Sequence, residues 1–114
     1  MGTFVIFESE LMRIIARNTL INYLSNCPEL EQPLKSWYDE VSNANWKLPN
    51  ELKKQFRNAS VITNKRVVFN IKGNSNRLIA DIEYRIGIVF LVWIGTHKKY
   101  DKINVREIEY VKTD

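Results

Sequence analysis

Residues 66–94 read RVVFNIKGNSNRLIADIEYRIGIVFLVWI, and no other stretch limits the possible folds of this chain as much. Three apolar runs follow one another with only two short polar breaks, "GNSN" (73–76) and "RIG" (85–87). Breaks this short, rich in Gly, Asn and Ser, suit hairpins and leave no room for a crossover helix. The spacing therefore predicts an antiparallel meander of strands 66–72, 77–84 and 88–94. Its third run, "IVFLVWI", is apolar on both faces and reads as an interior strand. "REIEYV" (106–111) alternates and is expected to add a last strand, and "MRIIA" (12–16) an early one.

The front half has the other period. Leu30, Leu34, Trp37, Val41 and Ala44 recur at helical spacing through "ELEQPLKSWYDEVSNA", with Pro33 tolerated in the first turn. A helix before it is expected to turn Leu20, Ile21, Leu24 and Cys27 inward, with Asn18 or Thr19 as its cap and Pro28 as its stop. Leu48, Leu52 and Phe56 mark a short third helix, with Lys53, Lys54 and Arg57 on its outer side. The fold class is thus α+β: a three-stranded antiparallel meander plus flanking strands, packed on two to three N-terminal helices. The 114 residues suit one domain, 1–114, able to bury its own core.

One cysteine excludes an internal disulfide, and one Cys with one His excludes the usual structural zinc sites. No metal or cofactor is expected. No apolar run approaches the roughly 20 residues of a membrane span, and the start lacks the basic region of a secretory signal. A cytoplasmic protein away from the membrane is the expectation. The net charge of +4 is unevenly spread. Residues 47–77 hold eight cations against Glu51 alone, a local +7, so the other 83 residues sum to −3. An anionic partner on one surface is one reading of that asymmetry, and a set of solvated faces is the other.

Strand register brings candidate residues together. Across "GNSN", Lys72 is expected opposite Arg77, Asn70 opposite Ile79, Val68 opposite Asp81 and Arg66 opposite Glu83, all on one side of the sheet. Val67, Phe69, Ile71, Leu78, Ala80 and Ile82 take the other side, against the helices. Across "RIG", Tyr84 is expected opposite Ile88, Asp81 opposite Leu91, Ile79 opposite Trp93 and Arg77 opposite Gly95. The single histidine, His97, then arrives at the same end as Lys72 and Arg77, with Tyr100 one turn on. These four are phosphate-binding groups plus one proton-exchanging group. Metal-free RNA cleavage needs such a set: the 2′-hydroxyl loses a proton, the pentacoordinate phosphate needs cationic donors, and the leaving 5′-oxygen takes a proton. Lys53, Lys54, Arg57, Arg66, Asn70, Asn74, Lys98 and Lys99 are the candidates for wider RNA contact. A surface histidine among lysines, soluble residues flanking a turn, and a packing role for Tyr100 and Trp93 remain the plain alternatives.

"VVFNIKGNSNRLIADIEY" followed by "VWIGTHKKYDKI" resembles the HigB family of bacterial toxin mRNA interferases, within the RelE-like group. The specific signature is F-N-x-x-G-N-x-x-R-L with T-H-x-x-Y-D at this spacing. The likeness runs from about Met12 to Val105, including "LKSWYDEVSNANWKLPNELKKQF" in the helical region. It implies a RelE-like fold and metal-independent endonucleolytic cleavage of mRNA, usually on the ribosome. It also implies a neutralising helix-turn-helix (HigA-like) antitoxin. Arg77 matches the arginine such toxins aim at the scissile phosphate. His97 falls where relatives place an arginine or histidine, Tyr100 near their late catalytic residue, and Lys72 where cations line the groove. Because family members tend to begin near "MRII", residues 1–11 are expected to be an extension. Two other functions compete: a non-catalytic RNA- or ribosome-binding module using the same basic groove, and an interaction subunit docking an acidic partner.

Overall fold

The structure is a computed structural model that describes residues 12–111, so the "TFVIF" stretch lies outside the described residues. Five strands form one sheet in the order β1-β5-β4-β3-β2. They are β1 (Arg13–Ile15), β2 (Ser60–Val61), β3 (Arg66–Ile71), β4 (Asn76–Glu83) and β5 (Ile88–Thr96). The helices are α1 (Asn18–Asn26), α2 (Glu31–Ser42), α3 (Pro49–Gln55) and the single turn α4 (His97–Tyr100). A 3-10 turn, Pro28–Leu30, joins α1 to α2.

β3, β4 and β5 make the expected antiparallel meander. β2 extends it antiparallel on β3, whereas β1 lies parallel to β5, so the sheet is mixed rather than wholly antiparallel. The parallel pairing follows from connectivity: α1, α2 and α3 intervene before the chain returns to the sheet, and a crossover of that length permits it. One face of the meander (Val67, Phe69, Ile71, Leu78, Ala80 and Ile82) is buried with Leu30, Leu34, Trp37, Val41 and Leu52 from the helices. Trp37 meets Phe69 edge to face at 5.3 Å between centroids. Each fully buried side chain of this size contributes about 1.5–3 kcal/mol of transfer free energy.

The first hairpin is shifted by two residues from the expectation. Asn70, not Lys72, pairs with Arg77, and Arg66 pairs with Asp81. Lys72 and Gly73 both take left-handed φ, 55° and 64°, so the strand ends at Ile71 and Lys72 begins the loop. A slip of two preserves side-chain alternation, so each residue still lies on the expected face. The second hairpin opens one residue earlier than expected, with Glu83 opposite Ile88 and Gly87 at φ 68°. A β-bulge then inserts Val92 and shifts the ladder by one, restoring Ile79 opposite Trp93 and Arg77 opposite Gly95.

Four other expectations are corrected. Residues 106–111 form no strand. They belong instead to a C-terminal segment lying over the other face of the sheet, where Ile103, Val105 and Ile108 pack against Val68, Ile79 and Val92. That face is therefore covered over part of its area rather than open to solvent. Neither Asn18 nor Thr19 caps α1: its N-cap is Arg17, with no side-chain cap bond. Ile21 is 61% exposed, because it lies on the outward arc of α1 beside the buried Leu20. Leu48 is also exposed, as the extended N-cap of α3.

Candidate active site

The loop Lys72–Ser75, the start of β4, the end of β5 and α4 converge at one end of the sheet. Two backbone devices hold them. Thr96 caps α4 by accepting the Lys99 amide on its hydroxyl at 3.2 Å. The amide of His97 donates to the Ser75 carbonyl at 3.0 Å, which fastens the first residue of α4 to the β3–β4 loop. Ser75 is fixed in turn: its hydroxyl donates to the Asn76 side-chain oxygen at 2.7 Å and to the Ile71 carbonyl at 3.3 Å. Asn76 is buried, and its amide nitrogen donates to the Tyr23 hydroxyl of α1 at 2.8 Å. Burial, with the Cys27 thiol alongside, raises the Tyr23 hydroxyl above the usual tyrosine value, so it stays neutral beside Asn76.

Arg77 lies within this frame. One terminal nitrogen of its guanidinium donates to the carbonyls of Asn74 at 3.2 Å and Asn76 at 3.3 Å. Its carbon stands 5.7 Å from the centroid of the Tyr100 ring, a cation–π contact. Among the described residues Nε and Nη2 have no protein acceptor. They form the edge that binds a phosphate through two parallel bonds. Tyr100 is also 6.4 Å from Trp93 between ring centroids. The Trp93 indole lies across Gly95, where an added Cβ would collide with the ring. Glycine at 95 therefore leaves room for the indole, which stands tilted at 46° to the Tyr100 ring.

The structure thus brings Arg77 and Tyr100 into contact and fastens His97 to the loop that leads into Arg77. The His97 ring is half exposed, with Nε2 3.5 Å from an Asp101 carboxylate oxygen. Lys72 reaches this end through the loop, its carbonyl accepting the Ser75 amide at 3.2 Å, rather than through the ladder. Asp101 lies outside the sequence-based candidates, although its i,i+4 spacing from His97 on a short helix is a signal for it. Asn76 and Tyr23, 53 residues apart, left no comparable pattern.

The wider basic surface is reduced by its neighbours. Arg66 is bidentate with Asp81, at 2.8 and 2.9 Å, and its remaining terminal nitrogen donates to the carbonyls of Val105, Arg106 and Ile108. These five acceptors make Arg66 the latch of the C-terminal segment and leave little of it for a nucleic acid. The Asp81 hydrogen bonds raise its pKa further above the ordinary arginine range. Lys65 pairs with Glu83 at 3.0 Å, and Lys53 caps the end of α3 on the carbonyls of Arg57 and Ala59. Asp81 and Glu83 lie outside residues 47–77, so folding offsets two of that segment's eight cations. Lys54 on α3 and Arg57 just beyond its end stay exposed, as do Lys98 and Lys99 on α4.

Among the described residues no three His, Cys, Asp or Glu side chains gather as metal ligands, and no helix is long and apolar enough to cross a membrane. Residues 30–103 match the family model HigB_toxin, described as the RelE-like toxic component of a toxin-antitoxin system. No curated protein matches the chain.

Proposed function

The chain belongs to the HigB family of RelE-like toxins, and we propose that it acts as a metal-independent endoribonuclease on mRNA. Family membership makes it the toxic component of a toxin–antitoxin system, with an antitoxin as partner. The finer reading rests on one observation: the Arg77 guanidinium is held over Tyr100 with a free phosphate-binding edge, on the loop that also fastens His97.

In the proposed reaction the RNA 2′-oxygen attacks the adjacent phosphorus, and the bond from phosphorus to the 5′-oxygen breaks. The 2′-hydroxyl gives up its proton and the leaving oxygen gains one, so the products are a 2′,3′-cyclic phosphate and a 5′-hydroxyl. Arg77 stabilises the charge that grows on the phosphoryl oxygens. His97 exchanges a proton with a reacting oxygen, steadied by Asp101. Tyr100 orients Arg77 from below, and Lys72 adds a mobile cation from the loop. Lys54, Arg57, Lys98 and Lys99 hold the RNA backbone on either side without reading sequence. The ribosome is the proposed place of cleavage, the cytoplasm the proposed compartment, and a helix-turn-helix protein the proposed antitoxin. Residues 1–11 are proposed to be dispensable for this activity.

The test compares Arg77→Ala and His97→Ala in folded protein, mapping RNA ends from growing cells. Arg77→Ala is expected to lower cleavage by about 10²–10³-fold, as for loss of one transition-state donor. His97→Ala is expected to cost about 10²–10⁴-fold as loss of a general acid or base. His97→Gln should lose as much, because glutamine hydrogen-bonds but does not exchange a proton. Full cleavage by both alanine variants would overturn the catalytic assignment and favour an RNA-binding module.

A further inference from the structure

An open cleft of about 260 Å³ lies beside the candidate active site, on the β3 side of Arg77. Phe56 and the buried Phe69 line its base, their rings meeting edge to face at 5.1 Å. Arg57, Asn58, Asn70 and Gly73 complete the wall. Asn70 stands directly opposite Arg77 in the β3–β4 ladder, so the Asn70 rim of the cleft lies one strand from the proposed phosphate position, whereas Phe69 belongs to the helix-covered face. At Gly73 an added Cβ would meet nothing within 4 Å, so the loop leaves that rim clear.

Gln55, which also lines the cleft, is engaged: its side-chain oxygen accepts from the Trp46 indole and its nitrogen donates to Glu40. The other polar side chains around the cleft are uncommitted. Among the described residues the amides of Asn58 and Asn70 make no hydrogen bond, and the Arg57 guanidinium has no carboxylate partner. Asn70 is partly buried but its side-chain amide still reaches solvent, so it is open to a ligand. The volume falls just below the roughly 300–1,000 Å³ of pockets for drug-sized ligands, which suits a single heterocycle. Aromatic residues at the base, two amides able to pair with a base edge and a cation for the backbone are the parts that recognise an unstacked nucleotide.

Resting on the endoribonuclease reading, we infer that this cleft is a base-selective subsite. It takes the base of a nucleotide flanking the cut, read by Asn70 and Asn58, while Arg57 holds a neighbouring phosphate. Substrate choice is then set on the β3 side of Arg77, and proton exchange on the α4 side.

The experiment sequences RNA 5′-hydroxyl ends from cells producing wild type, Asn58→Ala, Asn70→Ala and the double variant, with circular dichroism as the check of folding. Wild type is expected to prefer particular bases at one position beside the cut. That preference should fall about tenfold in the double variant, as for loss of one good base contact, while total cleavage falls less. Asn58→Ser and Asn70→Ser replace any alanine variant that fails to fold. Three results overturn the inference but leave the proposed activity standing: no flanking preference in wild type, a variant profile within twofold of wild type, or complete loss of cutting in folded variants, which would place Asn70 in the chemistry. Absence of any cuts by wild type would overturn the proposed activity and the subsite together.

Discussion

The two faces of the sheet are covered in different ways. The inner face is sealed by helices through a continuous apolar cluster from Met12 to Ile94, with the Asn76–Tyr23 hydrogen bond as a polar tie at one end. The outer face carries a small cluster of Val68, Ile79 and Val92, covered by an irregular segment that hangs from one ion pair, Arg66–Asp81. An irregular segment leaves its carbonyls unpaired, and Arg66 satisfies three of them while Asp81 satisfies Arg66. A helix would have satisfied its own carbonyls but would have covered more of the sheet. The short cover leaves the Arg77 end accessible while the helical face keeps the strands rigid beneath it. Stability thereby rests on one face of the strands, and the proposed chemistry on the other.

Three substitutions test that contrast. The largest effect is expected on the inner face: Phe69→Ala should cost about 3–5 kcal/mol, read from denaturant unfolding. A loss below about 1 kcal/mol would deny the inner face its role as the core. Asp81→Ala should cost about 3 kcal/mol, because it leaves Arg66 largely buried without its partner. Amide exchange across 103–108 should rise with it, while exchange in β4 changes little. Unchanged exchange in that segment would break the latch assignment. The Arg66 contribution follows a raised folded pKa, so it is present below the ordinary arginine range and lost only as pH rises above it. Melting between pH 5 and 9 should therefore be flat on this account. The smallest effect belongs to Tyr84, whose buried hydroxyl has no hydrogen-bond partner among the described residues. Tyr84→Phe should leave stability unchanged or raise it by about 1 kcal/mol. Burial raises the Tyr84 pKa, so its contribution is whole below the ordinary tyrosine range and is lost as pH rises through the folded value. The phenylalanine variant should lack that alkaline loss, and an identical alkaline profile would count against it.

The sequence by itself determined the helical front, the meander and the face of each residue in its first two strands, because period and turn chemistry are local properties; from Ile88 to Val92 the early turn reversed the expected faces, so that Val89 and Leu91 lie inward and Phe90 and Val92 outward. It also placed Arg77 beside Gly95 and brought His97 to that end. The first-hairpin register departs by two residues from the sequence expectation because a lysine in left-handed conformation, Lys72, does not announce itself in sequence. The bulge at Val92 was equally silent, yet it offset the early opening of the second turn. The alternation of "REIEYV" promised a strand, but the Val68–Ile79–Val92 cluster and the Arg66 hydrogen bonds hold the segment across the outer face rather than along a sheet edge. Only the tertiary structure decided that this segment would fold over the outer face and that Arg66 would leave the basic surface to hold it. It alone decided that Tyr23 and Asn76 would fix the loop under His97. These outcomes depend on which distant groups must satisfy one another once water is excluded, and no local pattern in the chain encodes that requirement.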